Sequence, residues 1–452
     1  MRNLLEISKS GLKSAERSLS VTSNNIINAD TPGYSRQRIE KSPNGMQMPG
    51  YHAGLGVNIE GLTRMRNEMN DVLMNQKQQD MSFMQGQAKV YEQLEAVVVT
   101  DSGNDLELNI SKVMDGFSEL SSDPQDMSVR NSLVSDAQEL TGKFKDLDRN
   151  IERISELTRE SAGKNVDDIN SIIREINSLN KSIEQGEAAG NSDNTSLDMR
   201  VAKMEDLSKL IDYESQVTDT GGVEIRVGGV TLLDSKNAQT IRAEIDDINK
   251  GFTLRLNSGK TITANGGELG AEIEMYTKQI PDMANKLDRI ASTLVEEVNQ
   301  IHSSGYGLND DTSRNFFDTT GTSASEIKLN AAMIFDPANV AASSNDAEAG
   351  NGEIAAQIAE LRNERLIDGR KIIDSSIELI SSPGVKLQNL NSQIVARDSE
   401  LNMLKTQQER EAGVNIDEEL SLMIQYQNAY QGAAKVMSAA QNMYDTLIGL
   451  VR

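Results

Sequence analysis

Only two residues in this 452-residue chain, His52 and His302, carry an imidazole, and none carries a thiol. The absence of cysteine excludes disulfides, thiolate nucleophiles and cysteine metal sites. The two histidines are far apart in the chain and neither has a ligating neighbour at helical spacing, so each reads as a structural or exposed residue and not as part of a metal cluster. The 69 Asp and Glu residues make many chance carboxylate pairs. General acid–base chemistry would need two of them in a concave pocket that separates their pKa values. The chain has no His-Glu-x-x-His, no phosphate loop and no Gly-x-Ser-x-Gly elbow, and Gly54-Leu55-Gly56 reads as a bend before it reads as a ligand loop. The expectation is a protein without catalytic residues, cofactor or metal.

Charge and hydropathy narrow the remaining classes. With 45 Lys and Arg the formal net charge is −24, spread along the chain without a basic block, which argues against nucleic-acid binding through phosphate neutralisation. No apolar run approaches the ~18 residues of a membrane span, so no membrane insertion is expected. Charge interrupts Met1-Arg2-Asn3-Leu4-Leu5-Glu6 before a signal-peptide core forms, so ordinary signal-peptide secretion is not expected. Aromatic residues make up 4% of the chain, with no Trp, and hydrophobic residues 37%. That balance suits elongated helical layers with narrow cores.

The elements that would position any site are mostly helices. A stripe through Ile416, Leu420, Met423, Gln427, Tyr430, Ala434, Met437, Gln441, Tyr444, Ile448 and Val451 steps by fours and threes, the spacing that keeps one helix face on a partner. A helix carrying it would be about 50 Å long. Met1, Leu5, Ser8, Leu12, Ala15, Leu19, Thr22 and Ile26 repeat the spacing with smaller, partly polar side chains, and such a helix needs a partner. Stripes this near both ends suggest that the termini form a helical module together or with neighbouring subunits. Gln427 and Gln441 either set register inside such a seam or face solvent. After the first helix, Asn24-Asn25-Ile26-Ile27-Asn28-Ala29-Asp30-Thr31-Pro32-Gly33-Tyr34-Ser35 carries side chains that cap and turn backbone. Asn24, Asn25 and Asn28 therefore read as turn and cap residues, with hydrogen bonding between subunits as the alternative.

Residues 35–60 read as extended, with bends at Gly45, Gly50, Gly54 and Gly56. Helix is expected from about Leu62, again over Met127–Leu157 and Val166–Glu184, and over Leu197–Leu210. The period changes to two in Gly222–Val230 and Gly251–Asn257, which predicts strands of a small antiparallel insert that projects as a knob and closes at Gly266–Gly270. Helix returns over Ile273–Ile301, then near Gly352, and from Gly384 toward Glu411. Between them a Gly/Ser/Asn/Asp-rich stretch hides Phe316, Phe317, Ile327 and Leu329 as its buried exceptions. The second half retraces the first in reverse order, so both termini should lie at one end of a rod. The fold class expected is mainly α with a β insert. Its divisions are residues 1–60 and 412–452 as a terminal coiled-coil domain with an adjoining extended segment, 61–214 and 266–411 as an elongated helical body with some strands, and 215–265 as a small β-rich outer domain.

Ser23-Asn24-Asn25-Ile26-Ile27-Asn28-Ala29-Asp30-Thr31-Pro32-Gly33-Tyr34-Ser35-Arg36 resembles the start of the bacterial flagellar rod, hook and hook-associated proteins. The ending Tyr34-Ser35-Arg36 is most similar to the hook-associated branch. Gly413-Val414-Asn415-Ile416-Asp417-Glu418-Glu419 and Gln425-Tyr426-Gln427-Asn428-Ala429-Tyr430-Gln431-Gly432-Ala433-Ala434-Lys435-Val436 resemble the other end of the same family. Gly266–Gly270, Val298–Tyr306 and Phe335–Ala341 fit it internally. The motif residues are Asn24, Asn25, Asn28, Thr31, Pro32, Gly33 and Tyr34.

The resemblance implies a structural protein joining the flagellar hook to the filament, outside the cell, after export without a cleaved signal peptide through the flagellar type III apparatus. It implies self-assembly into a ring or helical array, with the hook protein below and a second junction protein on the filament side. It also implies a cytoplasmic export chaperone on the C-terminal helix. The packing residues for that assembly would be Leu5, Leu12, Leu19 and Ile26 with Ile416, Leu420, Met423, Tyr430, Ala434, Met437, Tyr444, Ile448 and Val451. A surface-exposed coiled-coil adhesin or binding module is the alternative, with its binding surface on residues 215–265.

Overall fold

The computed structural model describes residues 2–31, 33–48, 51–98, 106–190, 193–234, 237–308, 314–346 and 348–451; Met1, Gly50 and the motif residue Pro32 lie outside them. Helix α1 spans Arg2–Ile27. It is followed by a long hairpin of β1 (Gln37–Met48) and β2 (Tyr51–Arg64), paired antiparallel from Gln37↔Arg64 to Met48↔Tyr51. Gly45, Gly54 and Gly56, expected at bends, lie inside these strands, where the register shifts between Pro43 and Gly45. Leu62, expected to open a helix, is in β2 instead, because the Met65 N–H donates to the Arg36 carbonyl at 2.8 Å and prolongs the pairing.

Helix α2 therefore begins later and spans Glu68–Val98. Helix α3, Leu106–Ser122, buries Leu106, Ile110, Val113, Met114, Phe117 and Leu120 along one face. The two helical blocks expected over 127–184 form one 62-residue helix, α4 (Met127–Ala188). The Asp126 side chain caps it by accepting from the Ser128 N–H at 2.6 Å. Helix α5, Asn194–Leu210, starts on Asp193, whose carboxylate accepts from the Ser196 N–H at 3.1 Å.

Two three-stranded antiparallel sheets follow. One comprises β3 (Glu214–Val217), β4 (Val223–Val227) and β5 (Val230–Leu233); the other comprises β6 (Ile241–Asp246), β7 (Gly251–Leu256) and β8 (Thr261–Ile262). Helix α6 then spans Gly267–Glu274, starting where the insert was expected to close. Gly267 sits at φ +68, and a Cβ there would stand 2.4 Å from the Ile211 backbone nitrogen, so only glycine lets α6 begin against the end of α5. A π-helical turn, Met275–Gln279, joins α6 to α7 (Ile280–His302) as one continuous rod.

The short helix α8 (Ala331–Phe335) lies in the Gly/Ser/Asn-rich region, where Phe316, Phe317, Ile327 and Leu329 are buried as anticipated, and α9 (Glu353–Glu360) is the helix expected near Gly352. Helix α10 runs Ile372–Ala412 and α11 runs Ile416–Val451. The expected start of α10 at Gly384 is overtaken because the helix continues through Pro383. Proline removes the N–H that would serve the Leu379 carbonyl, and the Ser382 hydroxyl donates to that carbonyl at 3.4 Å.

The apolar residues form two clusters. The outer one joins the ends of α2 and α10 with α3, α7, α9 and the first half of α4; the inner one joins α4 beyond Ala162 with α5, α6 and both sheets of the insert. The insert shares Ile169, Ile173 and Ile176 of α4 with its own Val223, Ile225 and Leu254, so the excursion anticipated as an outward knob is fused to the flank of the body. Neither cluster contains a residue of α1, β1, β2 or α11.

Candidate assembly site at the terminal helices and their joint

Helices α1 and α11 pack antiparallel: Gly11 faces Ala433, and Asn25 meets Glu419. The face of α1 turned inward runs through Leu4, Ser8, Gly11, Ala15, Ser18, Thr22 and Asn25, a heptad of mostly small residues. The facing line on α11 is Glu419, Leu422, Tyr426, Ala433, Met437 and Ala440. Small knobs bring the helices close and leave the larger side chains on the flanks. Leu5, Leu12, Leu19 and Ile26 are half-buried at the edges of this seam.

The sequence stripe on α11 is offset from the seam. Met423, Ala434 and Met437 are half-buried, whereas Ile416, Leu420, Tyr430, Tyr444 and Ile448 are exposed, as are Gln427 and Gln441. Ile424, outside the stripe, is 60% exposed beside it. The register explains the end of the stripe: with Gly11 opposite Ala433, the last turns of α11 extend beyond the start of α1. The Val451 backbone is helical, and its side chain lies outside the described residues.

At the other end of the seam the Asn-rich motif forms a polar knot. Asn25 is 1% exposed. Its Nδ2 donates to the Gln37 carbonyl at 3.0 Å and to Glu419 Oε2 at 3.1 Å, while its Oδ1 accepts from the Gln37 N–H at 3.1 Å and the Tyr34 hydroxyl at 2.8 Å. One amide thus ties α1, the turn, β1 and α11. Asn28 has the plainer role anticipated for it, donating to the Asn24 carbonyl at 2.9 Å and to Asn24 Oδ1 at 2.8 Å where α1 ends, and Thr31 donates to Asn28 Oδ1 at 3.3 Å. Gly33 takes φ +79, a left-handed conformation suited to this turn.

Burial, then the negative charges of Asp198 and Glu419, push the Tyr34 hydroxyl up to about 12, so it stays a proton donor. Arg36 Nε donates to Glu419 Oε1 at 2.8 Å and its Nη1 to Glu418 Oε2 at 3.2 Å. Burial works against the Arg36 charge, but the bonds to Glu418 and Glu419 outweigh it and hold its pKa above the ordinary value. Beside the knot, Lys41 Nζ stands 4.8 Å from the centre of the Tyr426 ring, a cation–π contact between hairpin and α11. A cleft of about 130 Å³ opens there between α1, β1 and α11, lined by Val21, Ile39, Leu422 and Tyr426 among others.

A second polar centre fastens this module to the body. Asp198, in the first turns of α5, accepts from the Ser35 hydroxyl at 2.8 Å, the Ser35 N–H at 3.2 Å and Arg64 Nη1 at 2.8 Å. Arg66 donates to Ser35 Oγ at 3.1 Å and to both carboxylate oxygens of Asp71 at 2.7 and 3.0 Å. Gln408 of α10 donates to Asp71 Oδ1 at 3.2 Å and accepts from Asn70 at 2.8 Å. Sequence reasoning missed Asp198, Asp71 and Gln408: Arg66 and Asp71 are close in the chain, but the contacts of Asp198 with Ser35 and Arg64, and of Gln408 with Asn70 and Asp71, join distant segments that no local spacing marks.

His302, the one histidine whose side chain is described, is structural: Nδ1 is 2.7 Å from the Arg314 carbonyl and Nε2 accepts from the Ala341 N–H at 2.9 Å. That pairing makes Nδ1 the donor and the ring neutral. Complete burial pushes its pKa down to about 4. Among the described residues no group of three or more acidic or histidine side chains could hold a metal ion, and no helix is long and apolar enough to cross a membrane.

The terminal helices and their polar joint cap an elongated, mainly helical body with a flanking β insert, the architecture of a structural protein built around helix packing. Residues 91–317 match the family model for the flagellar hook-associated protein FlgK helical domain, 5–34 that for the flagella basal body rod protein, and 406–450 that for the flagellar basal body rod FlgEFG protein C-terminal region. The chain belongs to the flagellar hook-associated protein FlgK family.

It is 25% identical to flagellar hook-associated protein 1 of Bacillus subtilis, over 98% of this chain and 97% of that one. It is 23% identical to the protein of the same description from Escherichia coli, over the full length of both. The structure of the flagellar hook junction protein FlgK from Burkholderia pseudomallei shares its fold, with a TM-score of 0.64 and 12% identity, covering 75% of this chain and 99% of that one. The mainly α fold with a β insert, expected from the sequence, is the fold found.

Proposed function

We propose that this chain joins the flagellar hook to the filament, and that neighbouring copies bury the open apolar face of α11 against one another in a ring or helical array. The carrying observation is that Ile416, Leu420, Ile424, Tyr430, Tyr444 and Ile448 are exposed in the single chain although they sit on a 36-residue helix whose other face already has a partner. Such a face is covered in an assembly, and heterologous contacts between identical copies extend a tube. In this reading residues 1–60 with 412–452 form the axial domain, 61–214 with 266–411 the body around it, and 215–265 the outer flank. The hook protein meets one side and a second junction protein the other. The chain is exported without a cleaved signal peptide, and it performs no catalysis.

Deleting residues 420–452 in the cell, with electron microscopy and an assay of flagellin in the medium, tests the reading. Intact hooks without filaments, with flagellin shed, are expected; normal filaments would overturn it. Before assembly a cytoplasmic export chaperone covers Met423–Val451, which shields the exposed face from premature association. Chaperone capture undiminished by the same deletion would sink that part.

A further inference from the structure

The two apolar clusters meet at one level of the body, and α4, the α6–α7 rod and α10 each cross that level in an irregular or loosely packed way. On α4 the outer cluster ends at Ile154 and the inner begins at Ala162; between them lie buried Ser155 and Thr158 and exposed Leu157. Thr158 Oγ1 donates back to the Ile154 carbonyl at 2.8 Å, a bond that favours bending of the helix. On the α6–α7 rod the boundary falls inside the π-helical turn, with Met275 in the outer cluster and its neighbour Tyr276 in the inner. On α10 Pro383 and Gly384 stand within a turn of the same level.

What bridges this waist is polar. Lys386 of α10 donates to the Tyr91 hydroxyl and to Gln279 Oε1, both at 2.9 Å; the Tyr91 hydroxyl also donates to Gln279 Oε1 at 2.9 Å. Gln279 and Gln87 each donate to Glu274 at 3.2 Å. On the opposite side the Tyr276 hydroxyl donates to Asp247 at 3.3 Å, at the tip between β6 and β7.

π-turns and prolines are the common sites of sharp helix bends. Packed apolar cores resist deformation, whereas long polar side chains can follow one another through a change of angle. We infer that the body flexes at this waist, the outer and inner cores turning as two rigid blocks about the Met275–Gln279 turn. Bending then lies within the body itself, apart from the joint to the terminal helices.

The chain contains no cysteine, so spin labels can be placed uniquely in the full-length protein. One pair, Glu119→Cys with Lys260→Cys, spans the waist; a reference pair, Glu119→Cys with Glu296→Cys, stays within the outer block. The spanning pair is expected to show a distance distribution about twice as wide as the reference. A π-turn holds about one residue more than an α-turn, so deleting Thr277 should regularise the helix, keep both flanking faces in place and narrow the spanning distribution toward the reference. Equal widths at the start, or a width that the deletion leaves unchanged in a folded protein, would overturn the inference. Should the deletion variant fail to fold, hydrogen exchange of the unaltered chain decides. Amides of Thr277–Ile280 should exchange at least about tenfold faster than those of Ile290–Val298, and equal protection would sink the inference.

Discussion

Asn25 shows how much one short amide can organise: two acceptors and two donors, from α1's own turn, the first strand and α11, converge on a buried side chain. Asn25→Ala strands the Gln37 amide and carbonyl and the Tyr34 hydroxyl, at a cost of about 2–3 kcal/mol. The check is hydrogen exchange: protection of the β1 and β2 amides should fall by that amount while the α3 and α7 amides keep theirs. His302 gives the opposite lesson, that a lone histidine can be purely structural. Its folded pKa of about 4 lies below the ordinary 6.5, so the unfolded chain binds more protons between those values. The stabilisation is complete above about pH 6.5 and is lost as pH falls toward 4. Between pH 7 and pH 5 the body should lose about 2 kcal/mol from this residue. Urea midpoints at the two pH values, compared with His302→Asn, measure it; the variant is less stable but should lack this component of the pH slope.

At the scale of elements, α1 contributes shape more than area. Its Ser8, Gly11, Ala15, Ser18 and Thr22 let α11 approach, and its outer side receives the hairpin. Gly56 makes the second contact possible: it adopts φ +105, and a Cβ there would stand 2.0 Å from Ser10 Oγ. Ser10 Oγ in turn accepts from the Val57 N–H at 3.3 Å. Gly56→Val should lift the hairpin from α1 at a cost of about 2–4 kcal/mol, combining backbone strain with overpacking. Limited proteolysis within residues 37–64 would report it as faster cleavage. In contrast, Leu420→Asp alters a residue already exposed in the single chain, so the monomer's melting temperature should move little while assembly with other copies fails. Sedimentation or filament counts separate the two effects.

For the whole molecule, the distribution of apolar contacts sets the order in which parts come undone. The body holds two clusters, whereas the terminal module holds a seam of small residues and is fastened by Asp198, Asp71 and Gln408 through polar contacts. Local unfolding takes the least buried unit first. Exchange in mild denaturant should therefore release α1, β1, β2 and α11 together, before α4 and α7. A single cooperative loss across all of them would contradict this. In the proposed assembly, a neighbouring copy that binds only the ordered module would shift its equilibrium toward order.

Local patterning carried much of this architecture by itself. Period-three-and-four spacing marked α4, α7 and α11, period two marked β4 and β7, and the Asn-rich turn with its C-terminal counterpart pointed to the family, since each rests on residues close in the chain. The heptad stripe on α11 was legible too, but not which side of it α1 would take, because Gly11, Ala15 and Ser18 look like a weak face until a partner helix makes smallness an advantage. Likewise Pro383 reads as a helix boundary until the Ser382 hydroxyl and tertiary packing carry α10 through it. The insert's strands were visible as alternation, yet only the fold decided that their inner faces would share α4. Asp198 with Ser35 and Arg64, Asn25 with Glu419, and the common level of the π-turn and the gap between cores all depend on distant segments meeting. Sequence spacing reports what one element can present; which faces meet depends on the joint packing free energy of all of them.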